Sequence, residues 1–185
     1  MSQWSEFYAG RCNARYKEYA RQKYAPFIQG IAYSGLAVHR RGHRPVLREE
    51  GAGIGTITAI LHADLNYRAD LYMFDRDYEQ ATLARHNTGL FCDVGNILEC
   101  HSKVDVIHSH GVLEHFCDAD IRQIVQRQQH EATHAVVAYV PTNKYKTPSF
   151  GDERLMSPED WKRLTSPSHS FVFNQGHDLC LMWIK

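Results

Sequence analysis

The sequence predicts an α/β fold built on an open, doubly wound, largely parallel sheet, and three observations carry that expectation. Val46–Thr58 reads as a short strand, then glycines at alternate positions (Gly51, Gly53, Gly55), then the start of a helix. Such a corner brings backbone N–H groups and the positive end of a helix against a ligand with little steric obstruction. Acids close the apolar runs that follow: Asp75 after Arg68–Phe74, and Asp93 within Leu90–Val94. From there to the C-terminus, strand-like and helix-like segments alternate, the pattern of a sheet covered on both faces.

Before the first strand, Trp4, Phe7, Tyr8, Tyr16, Tyr19, Ala20 and Phe27 recur at helical spacings, interrupted at Pro26. They predict two helices packed across the ligand edge of the sheet. Tyr8 and Arg11 lie one turn apart on one helix face. The first strand contains Arg48 and Glu50, which point to the same face because strands alternate with period two. Charges in a doubly covered strand are costly unless paired, so either these two neutralise each other or the strand ends earlier. Asp77 stands three residues ahead of Gln80 and predicts a helix start; the helix runs to about Asn87 and stops at Gly89. Val104–Phe116 gives a fourth strand and its loop. Asp118–Ile121 opens the next helix, with Ile121, Ile124 and Val125 inward. Ala135–Val140 is a fifth strand ended by Pro141, and 141–156 is a loop carrying Tyr145, Pro148, Phe150, Gly151, Asp152, Glu153 and Arg154. Ser157-Pro158 caps a short helix with proline at its first position. Phe171–Phe173 and Leu179–Ile184 close the sheet.

A chain of 185 residues, 43% hydrophobic, suits one domain with a sizeable core. The mean hydropathy of −0.47 and the absence of a long apolar run argue against a transmembrane span. The start Met1-Ser2-Gln3-Trp4 has neither the basic nor the apolar region of a signal peptide. Five cysteines without C-x-x-C spacing read as free thiols in a reducing cytoplasm. Net charge is zero but unevenly spread. Residues 1–45 hold eight lysines and arginines against Glu6 and Glu18, a net +6 that leaves −6 for the remainder. This basic stretch suits a solvated helix face, or attraction of an anionic substrate or nucleic acid.

The glycine spacing discriminates between nucleotide-like ligands. A dinucleotide fingerprint needs G-x-G-x-x-G, and counted from Gly51 its third glycine falls on Thr56. The pattern present is E-x-G-x-G-x-G, from Glu49 to Gly55. It resembles the first motif of the class I S-adenosylmethionine-dependent methyltransferases. Val104–Phe116 is similar to that family's hydrophobic-run-S-x-G-x-L-E-H segment, especially in its small-molecule branch. The resemblance covers about residues 44–184. It implies a Rossmann-like seven-stranded sheet in the order 3-2-1-4-5-7-6 with the last strand antiparallel, and a domain 1–185 divided into an N-terminal helical lid (1–40) and a core (44–184).

Carried over position by position, the resemblance sets Glu49, Gly51, Ala52 and Gly53 against the methionine part of S-adenosylmethionine. Asp75, with Arg76 beside it, takes the ribose hydroxyls. Asp93 takes the adenine amino group, with Val94 beside the ring. Ser109 and His110 lie under the methionyl end. Tyr8 and Arg11 reach from the lid toward the cofactor's carboxylate or the substrate.

Methyl transfer from a sulfonium needs positioning and exclusion of water, and a base where the acceptor is a hydroxyl or a protonated amine. Histidine titrates near neutrality and suits that role; His115 is the leading candidate and His110 the second. His108-x-His110 shares a strand face, but spacing supplies no third or fourth ligand, so no metal is expected. The D/N-P-P-Y/F motif of adenine and glutamine N-methyltransferases and the Pro-Cys pair of cytosine-5 enzymes are both absent after strand four. The expected function is therefore methyl transfer to the oxygen or nitrogen of a small molecule, without a nucleic-acid or membrane partner. The alternatives are a methyltransferase acting on RNA or protein, favoured by the basic N-terminus, and a non-catalytic S-adenosylmethionine-binding protein, favoured by Arg48 and Glu50.

Overall fold

A computed structural model describes residues 3–8, 10–66, 68–149 and 151–185. Phe150, named above in the 141–156 loop, and residues 1, 2 and 9 of the expected lid lie outside the described residues. Seven strands form one sheet: β1 (Val46–Glu50), β2 (Asp70–Asp75), β3 (Cys92–Val94), β4 (Val104–His110), β5 (Ala132–Pro141), β6 (His169–Phe173) and β7 (Asp178–Ile184). Their order is β3-β2-β1-β4-β5-β7-β6. β1 to β5 pair in parallel, and β7 runs antiparallel to both β5 and β6. The chain reverses direction outward from β1, once toward β2 and once toward β4, so a crevice opens at the carboxyl ends of these strands.

The helices behave locally as their sequences dictate. In α5 (Tyr78–Thr88) the Asp77 side chain accepts from the backbone N–H groups of Glu79 and Gln80, and Gly89 ends the helix in the left-handed conformation. In α7 (Pro158–Thr165) the Ser157 hydroxyl accepts from Asp160 N. α4 (Thr56–Leu65) starts directly from Gly55, at φ 69°. A side-chain carbon at Gly55 would lie 2.8 Å from Thr88 Cγ2 and 3.1 Å from Met73 Sδ, so this third glycine lets α4 pack against α5 and β2.

The N-terminal region differs from expectation. It forms three helices, α1 (Gln3–Phe7), α2 (Ala14–Lys23) and α3 (Ala25–His39). The break expected at Pro26 falls at Tyr24, between α2 and α3, and Pro26 sits in the first turn of α3, where a backbone N–H would have no intrahelical acceptor. α3 also does not cross the ligand edge. It covers the sheet face over β4 and β5 and buries Phe27, Ile28 and Ile31 with Leu47 and Val137. Its glycines allow that approach: Gly35 faces the Leu47 side chain and Gly30 faces Met182 and Val137. α3 thus belongs to the core, which also takes Ala20 and Tyr24, while α1, the turn after it and Tyr16 and Lys23 of α2 stand at the crevice.

β1 keeps its full length because its charges are paired. Arg48, Glu50, Arg127 and Glu131 are all buried. Arg48 donates to Glu50 at 2.8 and 3.0 Å and pairs with Glu131. Arg127, from α6 (Asp118–Glu131), donates to Glu131 at 2.6 Å and pairs with Glu50. Two cations and two anions cancel, and Gln128 Nε2 and the carbonyls of Ser102 and Ile97 use remaining polar positions. The network joins β1 to α6 and to the segment after β3. Replacing any single member would strand a buried charge. Among the described residues, no helix is long and apolar enough to cross a membrane.

Candidate functional site

Three loops converge at the carboxyl end of the sheet. The turn after β1 carries Gly51 and Gly53, at φ 70° and 54°. It is tied to β2 by Gly51 N and Ala52 N donating to Phe74 O. The end of β2 supplies Phe74 and Asp75, and Gly95 N donates to Asp75 O, which brings the segment after β3 alongside. The loop after β4 supplies His110, Gly111 and Val112. Together they bound a cavity of about 160 Å³ whose far wall includes Trp4, Tyr8, His115 and Asp152.

Asp75 organises this cavity. One carboxylate oxygen accepts from Gly53 N at 2.8 Å and the other from Asp77 N at 2.9 Å. A carboxylate offers about four acceptor positions, so two remain for a ligand's hydroxyls. Burial raises its pKa, and the two backbone donors oppose that shift. The glycines are sterically required: a side-chain carbon at Gly51 would lie 2.6 Å from Val112 Cγ2, and one at Gly53 would lie 3.1 Å from the Tyr8 hydroxyl. Tyr8 therefore rests directly on the glycine loop, with Trp4 stacked beside it at 6.1 Å.

Glu49 points to the opposite face of β1 from Arg48 and Glu50. It is buried, and one oxygen accepts from Thr58 N at 3.1 Å and from Thr58 Oγ1 at 2.6 Å. Burial pushes its pKa up to about 7; the two Thr58 bonds pull down, and nearby Asp75 adds to the rise. Glu49 and Ala52 line a small recess behind the glycine loop, with Tyr16 and Tyr24. Arg11 lines neither space. Its guanidinium lies 4.0 Å from the Phe7 ring centre, and Nη1 is buried without a hydrogen-bond partner.

A second cavity, of about 120 Å³, adjoins the first and shares Trp4, Tyr8, His110, Gly111 and His115 with it. It continues to Tyr139, Tyr145, Glu114 and Glu153. His110 stacks on Tyr139 at 4.5 Å and meets Tyr24 edge-on at 4.2 Å. Burial and the nearby Lys23 charge hold its pKa down to about 3. Its imidazole is neutral at ordinary pH and a weak proton acceptor. His115 Nδ1 sits 3.0 Å from Asp152 Oδ1, and Trp4 meets its ring edge-on. A proton on Nδ1 shared with Asp152 leaves Nε2 with a free lone pair. Of the two candidate bases, His115 has the arrangement that suits proton acceptance.

The structure thus brings together Tyr8, Gly51, Gly53, Asp75, Arg76, His110 and His115 around one cavity. It does not bring Asp93 and Val94 there. Both are exposed, and Asp93 Oδ1 accepts from the N–H of Val94 itself at 2.8 Å. The physical reason is that β3 is only three residues long and at the sheet edge; the chain reaches the cavity just past its end, at Gly95 and Ile97. Ser109 is buried beneath the loop with Oγ unpartnered, outside the cavity lining. Sequence reasoning missed Phe74, Gly95 and Ile97. Gly95, a glycine at a strand's carboxyl end, was the available signal. Glu114 and Glu153 were missed as wall residues, because nothing in their spacing relates a 3-10 turn to a loop 39 residues on.

No protein-family model matches the chain, and no curated protein sequence does. The architecture has counterparts among solved structures of methyltransferases, with which it shares a Rossmann-like fold. An O-methyltransferase family protein from Burkholderia thailandensis aligns with a TM-score of 0.67 at 13% identity, over 99% of this chain and 63% of that one. Human N-acetylserotonin methyltransferase in complex with S-adenosylmethionine aligns at 0.65 and 13% identity, over 100% and 62%. Magnesium protoporphyrin IX methyltransferase from Synechocystis PCC 6803 with bound S-adenosylmethionine aligns at 0.62 and 10% identity, over 100% and 98%.

Proposed function

We propose that this chain is an S-adenosylmethionine-dependent methyltransferase acting on the oxygen or nitrogen of a small molecule. The observation that carries the reading is the pairing of two cavities. One is built from a glycine turn, an acid at the end of β2 and apolar walls; the other opens beside it across His110, Gly111 and His115.

The residues present fit the cofactor. Phe74 and Ile97 offer apolar surfaces to a planar base, and Asp75 has acceptor positions left for two ribose hydroxyls. Gly51 and Gly53 leave their backbone open to the methionine part. Glu49, held by Thr58 in the recess behind the glycine loop, suits its ammonium group, whereas Arg11, which lines neither space, would reach its carboxylate only if α1 and its turn moved. When bound, S-adenosylmethionine supplies a methyl group already activated by the sulfonium charge.

The chain's own residues then position the acceptor and keep water out. Tyr8 and Trp4 cover the junction between the cavities, and α1 with its turn forms the lid. His115 Nε2 accepts the acceptor's proton, with Asp152 stabilising the imidazolium that results. His110, held neutral, packs as part of the wall. In the basic N-terminal region Arg21 pairs with Asp64 and Arg44 with Asp70, which lowers the charge free to meet an anionic polymer. A location in the cytoplasm is consistent with five free cysteines.

Calorimetric titration with S-adenosylmethionine, followed by methyl transfer to a panel of hydroxyl- and amine-bearing metabolites, tests the proposal. Micromolar binding with turnover on a small molecule supports it. No binding, or transfer only to RNA or protein, overturns it.

A further inference from the structure

The second cavity has a charge pattern of its own. Its walls are aromatic, with Trp4, Phe7, Tyr24, Tyr139 and Tyr145 among them, yet two carboxylates open into it. Glu114 is 1% exposed, and its Oε2 has no hydrogen-bond partner. Glu153 is oriented by Ser149, whose N–H and hydroxyl donate to its two oxygens at 2.5 and 2.8 Å. Ligating atoms of Glu114, His115 and Glu153 lie within 4.8 Å of one another. Among the described residues, no lysine or arginine forms an ion pair with either carboxylate. Arg154, the nearest in sequence, directs its guanidinium to Phe116 O and Asp118 instead.

Burial, with Glu153 beside it, pushes the Glu114 carboxyl well above the usual carboxylate range, so on its own it holds its proton, and a positive partner between the two acids is what would let both ionise. We infer that the partner is the substrate, and that this cavity takes an acceptor carrying an organic ammonium group, whose nitrogen sits between Glu114 and Glu153. The inference rests on the methyltransferase reading in taking this cavity as the acceptor's. Ammonium nitrogen bonds carboxylate oxygen at about 2.8 Å, so one nitrogen can bridge oxygens that lie within 4.8 Å of one another. A divalent metal ion holds its donors at about 2.0–2.6 Å and completes its shell with further ligands, whereas beyond these three donors the wall is mostly aromatic and also carries the Lys23 ammonium. Ring faces attract ammonium groups through their quadrupole. Lys23 demonstrates this within the same cavity, its ammonium lying 5.1 Å from the Tyr24 ring centre and 5.7 Å from that of Tyr145. Glu114 follows Leu113 on the turn that also carries His115, so an ammonium held there stands next to the proposed proton acceptor.

Tyramine and 4-ethylphenol are suitable probes, because they differ only by the ammonium group. Titrated calorimetrically into the full chain, with and without S-adenosylmethionine, tyramine should bind about tenfold or more tighter. Glu114→Gln should bring the two probes within about twofold of each other, and Glu153→Gln should cut the preference partially. S-adenosylmethionine affinity should be unchanged in both variants, which separates this inference from the methyltransferase reading, tested by cofactor binding alone. Equal binding of the probes, no binding of either, or a preference that survives both substitutions would overturn it. So would Glu114-dependent binding of Mn²⁺ with no tyramine preference.

Discussion

Glu49 makes protonation and stability inseparable in this fold. Its carboxyl is buried at the base of the glycine loop, with Thr58 supplying both of its hydrogen bonds. Burial raises its pKa from 4.5 to about 7. The folded protein therefore binds this proton more tightly than the unfolded chain does. The stabilisation is fully present below pH 4.5 and is lost as pH rises through about 7. At about 1.4 kcal/mol per tenfold change in proton affinity, the whole span is about 3 kcal/mol. Glu49→Gln keeps an oxygen acceptor for Thr58 and removes the titration. Urea unfolding of both proteins at pH 5, 6, 7 and 8 isolates the effect, since every other titrating group is common to the two. The stability of the variant relative to wild type should rise by about 2–3 kcal/mol between pH 5 and 8. A difference that stays constant within about 0.5 kcal/mol, near the precision of such extrapolations, would refute the burial argument. If the cofactor's ammonium pairs with Glu49, saturating S-adenosylmethionine should remove most of that pH dependence.

The other predictions concern the cavity, the ion network and the lid. Asp75→Ala should weaken S-adenosylmethionine binding by about 2–4 kcal/mol through lost charge-assisted bonds, leaving the fold intact; unchanged calorimetric affinity would remove Asp75 from the site. Gly53→Val should abolish cofactor binding, because a side chain there is strained at φ 54° and meets the Tyr8 ring, so full binding would place the cofactor elsewhere. Arg127→Met should destabilise by about 3–5 kcal/mol by leaving Glu50 and Glu131 with one cation between them, as measured by chemical denaturation. Cofactor should slow amide exchange in 4–11, and deleting 1–12, which ends before the Asn13 cap of α2, should cut turnover more than the thermal midpoint. Equal exchange with and without cofactor would make α1 ordinary core.

The sequence by itself determined the order of elements and the corner that bounds the first cavity. Gly51, Gly53 and Gly55 are legible because only glycine tolerates left-handed backbone in so tight a turn, and Asp75, Asp77, Gly89 and Ser157 because acids, caps and stops act within a few residues. Those signals are local, and so they can be read in one dimension. What the tertiary structure decided depends on segments distant in sequence. Arg48 and Glu50 looked out of place in β1 until Arg127 and Glu131, about 80 residues on, completed a neutral network. Pro26 marks the break between α2 and α3, but that α3 covers β4 and β5 rather than the ligand edge depends on the packed sheet. Gly95 and Ile97, not Asp93, line the cavity because the three-residue edge strand delivers its chain there only past its end. Glu114 and Glu153 share a cavity only because the 141–156 loop folds back over the 3-10 turn after β4. Burial, charge pairing and cavity walls are properties of the packed layers, and no spacing rule along the chain encodes them.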